Sequence, residues 1–159
     1  MPDSQSPGSL FPIPDETVTN PLVAAGIARG VMRLFADLDY AALQEFPLRV
    51  KRRADIVALN NAGEIIIVEI KSCRADFRAD QKWPEYLDFC DRFFFAVSAQ
   101  FPREILPGEC GLIIADRHGG AIVRESAATP LNGNRRRAQI LQIALTASQR
   151  LARVAGDLL

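Results

Sequence analysis

Residues 54–71 read ADIVALNNAGEIIIVEIK, and this stretch decides the fold expected for the whole chain. Two apolar runs rich in β-branched residues, Ile56–Leu59 and Ile65–Ile70, flank an Asn- and Gly-containing break at residues 60–63. This pattern is typical of a β-hairpin. The second run is almost entirely Ile and Val, which indicates a central strand that is buried on both faces.

Charged side chains stand at one end of this hairpin. Because side chains alternate along a strand, Glu69 and Lys71 are predicted to point to one face and Ile70 to the other. Asp55 opens the partner strand, so antiparallel pairing would place it beside Glu69, with Lys71 next to both. Such charges are costly to bury unless something pairs with them. Two adjacent carboxylates suit a hard divalent cation, and a neighbouring lysine suits a metal-bound water or a phosphate.

The hairpin with Asp55 followed by Glu69-x-Lys71 resembles the core motif of the PD-(D/E)XK nuclease superfamily. One bacterial branch, the MmcB-like DNA repair family, is resembled more closely. The segments that carry this resemblance are residues 53–57 (RADIV), 68–72 (VEIKS) and 80–86 (DQKWPEY). It extends from about Asn20 to the C-terminus. One position departs from the superfamily pattern, because Ala54 rather than proline precedes the aspartate.

The resemblance implies a metal-dependent DNA endonuclease that acts in repair and hydrolyses phosphodiester bonds with a metal-activated water. In the family's pattern Asp55 and Glu69 would bind Mg²⁺ or Mn²⁺, with the backbone carbonyl of Ile70 as a further ligand. A bound metal ion lowers the pKa of water and neutralises charge on the scissile phosphate. Lys71 would orient that water or stabilise the added charge of the transition state.

Further residues are candidates for contacting metal or DNA. In the superfamily an extra carboxylate from the first helix or strand often joins the site; Glu45 is the first candidate and Asp37 the second. The alternative for Glu45 is a solvated position on an edge strand. Two basic clusters, at residues 49–53 and 135–137, can each meet phosphates. The alternatives are a solvated loop for the first cluster and a solvated first helical turn for the second. The DNA-binding candidates are Arg52, Arg53, Gln81, Lys82 and Tyr86, with a solvated side chain as the alternative for Lys82.

Composition narrows the function classes only loosely. The 159 residues hold 19 basic and 19 acidic side chains, so net charge does not by itself indicate a nucleic-acid binder. Three scattered cysteines without a Cys-x-x-Cys pair argue against a zinc site or a disulfide framework. No apolar run reaches the roughly 18–20 residues of a membrane span, and the N-terminus lacks the order of a signal peptide. We therefore expect a cytoplasmic protein without a membrane partner.

The predicted elements describe an α/β protein. Residues 1–15, rich in proline, are predicted to form a disordered tail, and residues 16–159 a single domain. Asn20-Pro21 predicts a helix start. That helix should end near Asp39, and a strand at residues 43–50 should then complete a three-stranded meander with the hairpin.

The second half of the chain predicts a helix after residue 72, a buried strand at 93–98 parallel to the Glu69 strand, and a hairpin at 111–124. A long helix capped by Asn134 follows. This order matches the αβββαβ core of the restriction-endonuclease-like fold, with a central mixed sheet flanked by helices. The predicted buried side of the last helix comprises Ile140, Leu141, Ala144, Leu145, Ala147, Leu151 and Val154.

Two other functions fit the sequence. A catalytically weak or inactive DNA-binding or scaffold module on the same fold agrees with the zero net charge, since tight non-specific binding usually uses a basic surface. A subunit that binds a repair-protein partner, or a homodimer, would use the apolar end of the C-terminal helix, although that end can equally pack on its own domain. The sole histidine, His118, falls in a predicted turn and leaves no second histidine for a zinc site.

Overall fold

The computed structural model describes residues 20–157, which form one mixed β-sheet with helices against it. The predicted tail at residues 1–15 lies outside the described residues. The elements are α1 Pro21–Asp37, β1 Ala41–Leu48, β2 Arg52–Leu59, β3 Ile65–Ile70, α2 Arg74–Ala79, the 3₁₀ helix Trp83–Phe89, β4 Arg92–Val97, a 3₁₀ turn Arg103–Ile105, β5 Gly111–Asp116, β6 Gly119–Arg124 and α3 Gly133–Asp157.

The six strands lie side by side in chain order, from β1 at one edge to β6 at the other. β1, β2 and β3 form the predicted antiparallel meander, β3 and β4 pair in parallel, and β5 and β6 form an antiparallel hairpin. The prediction of an α/β fold with a central mixed sheet, a hairpin and a long C-terminal helix is therefore confirmed. The parallel pairing of β4 with β5 was not predicted. It uses residues 98–110 as its connection, which is long enough for a parallel crossover.

Both faces of the sheet are covered, which explains why β3 and β4 are almost continuously apolar. On one face α1 packs Ile27 and Val31 against alternate residues of the central strands. On the other face Trp83 and Tyr86 of the 3₁₀ helix stack on Phe93, with ring centroids 5.8 and 6.0 Å apart. Buried aromatic rings of this kind contribute large apolar areas to a core.

Gly30 allows α1 to approach the turn between β5 and β6. A Cβ atom at this position would overlap the backbone oxygens of Asp116 and Gly119. A Cβ atom on Gly26 would lie 3.6 Å from its nearest neighbour, the backbone nitrogen of Arg117, which is an ordinary contact. The close approach of the helix to the sheet therefore depends on Gly30 and not on Gly26.

The substitution Gly30→Ala is expected to lower the free energy of unfolding by about 3 kcal/mol, because the obstructing atoms belong to the backbone and α1 must move away. The matched substitution Gly26→Ala is expected to be neutral or to stabilise by up to about 1 kcal/mol, since alanine is the better helix former. Urea denaturation of both variants measures the difference. Equal stabilities would contradict the close approach at Gly30.

Two predicted features of the helices differ from the structure. α3 begins at Gly133, and the side chain of Asn132, not Asn134, accepts the N–H of Arg135 at 2.9 Å. The helix predicted after residue 72 is divided into α2 and the 3₁₀ helix Trp83–Phe89, in which Leu87 is exposed. Three-residue periodicity places side chains on different faces from those that α-helical spacing predicts.

The predicted buried side of α3 is wrong for most of its members. Leu141, Leu145, Leu151 and Val154 are 55, 53, 70 and 58 % exposed, respectively. The buried residues are Gln139 and Ile143, because α3 packs mainly on β1 and the 3₁₀ helix Trp83–Phe89, and its last turns extend past them. Although α3 has 25 residues, neither it nor any other helix within residues 20–157 is apolar enough to cross a membrane.

The histidine is exposed, whereas the three cysteines are buried. His118 lies exposed in the turn between β5 and β6, as predicted. Cys73, Cys90 and Cys110 are free and buried. Burial raises the pKa of the Cys90 and Cys110 thiols to about 12, so both stay protonated and are weak nucleophiles at neutral pH.

Candidate active site

The β2–β3 hairpin opens at one end and holds two carboxylates in the gap. Its ladder ends at the pair Ile56–Val68, one step before Asp55 and Glu69 would pair. Side chains replace the missing ladder bonds: the N–H of Asp55 donates to Glu69 Oε1 at 3.2 Å, and the N–H of Ile70 donates to Asp55 Oδ2 at 2.7 Å. The two carboxylates are therefore held side by side by each other's strand.

The other side of β3 stays paired, which makes the strand a rigid support. Ile70 pairs with Ala96 of β4, and the N–H of Lys71 donates to the Ala96 carbonyl at 3.0 Å. Glu69 and Lys71 are only 4 and 3 % exposed. The ammonium Nζ of Lys71 donates to Asp80 Oδ2 at 3.1 Å. Lys71 is thus a buried cation whose position is fixed by a carboxylate of the segment after α2.

A cavity of about 560 Å³, named here the carboxylate cavity, opens onto these residues. The first turns of α1 contribute small residues to its wall, including Ala24 and Ala28. Two basic side chains, Arg53 and Lys71, also line it. Its acidic lining residues are Glu45, Asp55, Glu69, Asp76 and Asp80. Negative charge therefore exceeds positive charge in the cavity.

The structure places the two candidates for an extra carboxylate differently. Glu45 lies opposite Asp55, because the neighbouring residues of β1 and β2 are paired on both sides of this position. The side chain of Glu45 forms an ion pair with Arg53. The Glu45 φ of 52° is left-handed, which is uncommon for a residue other than glycine. Asp37 ends α1, whereas only the first turns of that helix line the cavity.

Asp76 and Asp80 line the cavity but were not predicted from the sequence. Asp76 Oδ2 accepts the backbone N–H of Ser72 at 3.1 Å, and the N–H of Asp76 donates to the Cys73 sulfur. This reciprocal arrangement resembles a capping box, so an acidic residue three positions after a helix start was the available signal. Asp80 has no comparable local signal, because its partner Lys71 is reached only when the chain folds back after α2.

The candidate DNA-binding residues divide into two groups. Arg53 and Tyr86 line the carboxylate cavity, and the Tyr86 hydroxyl donates to the Arg53 carbonyl at 3.3 Å. Arg52 forms an ion pair with a glutamate of the 3₁₀ helix, and Gln81 donates to a carbonyl of α2. Lys82 is exposed and is not part of the cavity wall. Three of the five candidates therefore lie outside the cavity.

Comparison with known proteins identifies the family of this chain. The model of the family described as "DNA repair protein MmcB-like" matches residues 13–157. The chain belongs to the MmcB-like family. The family resemblance read from the sequence is thereby confirmed, whereas placement in the PD-(D/E)XK superfamily stays a prediction that fits the family.

A solved structure is also similar to this MmcB-like chain. It is the SPO1766 protein of unknown function from Silicibacter pomeroyi, with a TM-score of 0.80 and 42 % sequence identity. The similarity covers 83 % of this chain and 90 % of that one. No match was found among the curated proteins.

Asp55 and Glu69 of this MmcB-like protein resist ionisation. Burial and the nearby Asp55 carboxylate raise the pKa of Glu69 to about 8, although the Asp55 N–H and Lys71 act in the opposite direction. Burial also raises the pKa of Asp55, opposed by the Ile70 N–H and by Lys71. Burial opposes ionisation of Asp80 as well, but its hydrogen bond with Lys71 holds its pKa below the ordinary value. Asp55 and Glu69 thus need a proton or a cation to offset their repulsion.

The metal-free MmcB-like protein is expected to lose stability as the pH rises from about 4.5 to 8. The folded-state pKa of Glu69 lies above its ordinary value of 4.5, so the folded state holds a proton that the unfolded state releases. The free energy of unfolding therefore falls as the pH rises from about 4.5 to about 8. Glutamine mimics the protonated carboxyl. Glu69→Gln should therefore equal the wild type near pH 5 and exceed it by about 2 kcal/mol or more at pH 8. Urea unfolding in EDTA at both pH values tests this, and parallel pH profiles would contradict it.

Proposed function

We propose that this MmcB-like protein is a metal-dependent DNA endonuclease that acts in repair. The observation that carries the proposal is a pair of carboxylates, the half-buried Asp55 and the buried Glu69, held side by side next to the buried Lys71 in an open cavity. Acidic groups with strongly raised pKa values in a cleft are typical of functional sites. The family description as a DNA repair protein supports DNA as the substrate.

The donor set suits Mg²⁺ or Mn²⁺. Asp55 and Glu69 would hold the ion, with the backbone carbonyl of Ile70 as a further oxygen ligand, and such hard cations prefer oxygen. Between residues 20 and 157 no three acidic, histidine or cysteine side chains are grouped closely enough to hold a metal by themselves. Water and phosphate oxygens would therefore complete the ligands. The ion, when bound, supplies Lewis acidity and a water of lowered pKa.

The side chains around the carboxylates have separate roles in the proposed reaction. Lys71, held by Asp80, presents a fixed positive charge that would stabilise the charge growing on the phosphate. Arg53 lines the same cavity and would neutralise a neighbouring phosphate. Glu45, which carries the strained backbone opposite Asp55, sets the position of Arg53 through their ion pair. The acidic excess in the cavity would otherwise repel DNA, so we expect DNA affinity to depend on the cation.

Two measurements on the wild type and on Glu69→Gln test the proposal. The first is calorimetry of Mn²⁺ binding, and the second is a cleavage assay on branched and single-stranded DNA. We expect the wild type to bind Mn²⁺ and to cleave DNA, with EDTA stopping the reaction and Glu69→Gln losing both properties. A wild-type protein that binds no Mn²⁺ would refute the catalytic proposal.

A second candidate function is a catalytically weak or inactive DNA-binding or scaffold module in a repair complex. The observation that favours it is the exposure of four apolar residues along α3, Leu141, Leu145, Leu151 and Val154. Exposed apolar patches on otherwise polar surfaces often mark protein contacts. DNA binding by the wild type without any cleavage, in the presence of Mn²⁺, would favour this second function.

A further inference from the structure

A second cavity, of about 440 Å³, lies beside the 3₁₀ helix Trp83–Phe89 and is named here the Gln139 cavity. Its volume is within the range of about 300–1,000 Å³ typical of ligand sites. The turn between β1 and β2, the 3₁₀ helix and the first turns of α3 build its wall. The lining residues that matter are Arg49, Val50, Glu85, Phe89, Arg135 and Gln139.

Gln139 carries a buried amide group that no other group of residues 20–157 satisfies at its nitrogen. Its side chain is only 4 % exposed, and its Nε2 atom has no hydrogen-bond partner. Buried polar groups without partners are rare and unfavourable, because they lose their bonds to water and gain none in return. An apolar side chain of the same shape would avoid this loss. Since the glutamine amide is both a donor and an acceptor, a ligand with a matching polar edge would satisfy it.

The remaining lining residues define the chemistry of that ligand. Phe89 contributes an aromatic surface on which a planar ring can stack. Glu85 forms an ion pair with Arg52 at 2.8 Å, and Asp88 forms one with Arg135 at 3.1 Å. Because both acids are already paired, they do not offset the positive charge of Arg49. A guanidinium suits a phosphate, and a glutamine amide suits the donor–acceptor edge of a nucleobase. The combination matches one nucleotide.

Residues that are neighbours in the chain line the Gln139 cavity and the carboxylate cavity. Glu85 lines the first and the next residue, Tyr86, lines the second. The same turn contributes Arg49 to the Gln139 cavity, and Arg53 of the following strand lines the carboxylate cavity. A DNA strand that lies with one phosphate in the carboxylate cavity would therefore reach the Gln139 cavity with a neighbouring nucleotide.

We propose that the Gln139 cavity binds one nucleotide of the DNA strand that flanks the cut. The base lies against Phe89 and the Gln139 amide, and its phosphate lies against Arg49. This inference rests on the proposed function, because the strand is positioned by the carboxylate cavity. It adds a subsite that selects single-stranded or unstacked DNA, since a paired base cannot enter a cavity of this kind.

The test uses the ¹⁵N-labelled protein with Asp55 intact and Mg²⁺ present, titrated with a short single-stranded oligonucleotide that resists nucleases and, separately, with dAMP. We expect the oligonucleotide to shift the side-chain amide resonances of Gln139 and the backbone amide of Phe89. The substitution Gln139→Leu should weaken oligonucleotide binding about 5- to 100-fold. The same change should raise the melting temperature by roughly 2–5 °C, because it removes an unsatisfied buried amide. Gln149→Leu, on an exposed part of α3, is the control and should alter neither.

Three outcomes would overturn the subsite. The first is an oligonucleotide that shifts Glu69 and Lys71 but not Gln139 or Phe89. The second is unchanged affinity in the Gln139→Leu protein. The third is dAMP binding as tightly as the oligonucleotide, which would indicate a site for free nucleotides. A failure of the nuclease proposal would give a different result. The wild type would not cleave DNA with Mn²⁺, but the oligonucleotide would still shift Gln139 and Gln139→Leu would still weaken its binding.

Discussion

Asp55→Asn is expected to lower the rate of metal-dependent DNA cleavage by about 10³-fold or more while the protein stays folded. Asparagine has nearly the same shape as aspartate, and its side-chain oxygen can still accept the N–H of Ile70, which Asp55 accepts at 2.7 Å. The substitution removes the negative charge that a divalent cation requires. It also relieves the repulsion with Glu69, so the folded state should not be weakened.

Single-turnover cleavage at saturating Mn²⁺ measures this effect, with circular dichroism as the check on folding. The matched control is Asp76→Asn, because Asp76 lines the same cavity but its carboxylate accepts hydrogen bonds from Ser72. We expect that control to retain cleavage within about tenfold of the wild type. Full activity of the Asp55→Asn protein would show that the cation, if one is used, is held elsewhere.

Asp91→Ala is expected to lower the free energy of unfolding by about 3–5 kcal/mol. Asp91 is 5 % exposed and joins three parts of the chain. Its carboxylate accepts the backbone N–H groups of Ile65 and Leu131, each at 2.8 Å, and both terminal nitrogens of Arg136, each at 2.7 Å. Removing it leaves a partly buried guanidinium and two backbone donors without their acceptor.

Urea denaturation at pH 7 tests this expectation, with Asp88→Ala as the control. Asp88 forms an exposed ion pair with Arg135, so its loss should cost less than about 1 kcal/mol. Although burial opposes ionisation, Arg136 and the two N–H groups hold the pKa of Asp91 below its ordinary value of 3.8. The stabilisation is therefore present above about pH 4 and is lost as the pH falls through the lower folded-state pKa. If Asp91→Ala and the wild type differed in the free energy of unfolding by the same amount at pH 2 as at pH 7, the ionised carboxylate would not be the source of the stabilisation.

The parts of this protein that depend on neighbours along the chain could be predicted from the amino-acid sequence. The α1 start at Asn20, the meander and the buried β3 follow from caps, turn residues and apolar periodicity, which act over a few residues. Asp55 and Glu69 come together for the same reason, because a hairpin returns the chain beside itself within 15 residues and alternation sets their faces. Neither step needs knowledge of how distant elements pack.

Contacts between elements that are far apart in the chain could not be predicted and are seen only in the folded structure. Nothing local indicates that Asp80 holds Lys71, or that Arg136, one of three adjacent arginines, pairs with Asp91 instead of meeting phosphates. The apolar residues of α3 show helical periodicity, but which of them are buried depends on the small part of the helix that meets β1 and the 3₁₀ helix. These outcomes differ from the local expectations because they arise from packing between whole elements, and a single sequence carries no record of which surfaces meet.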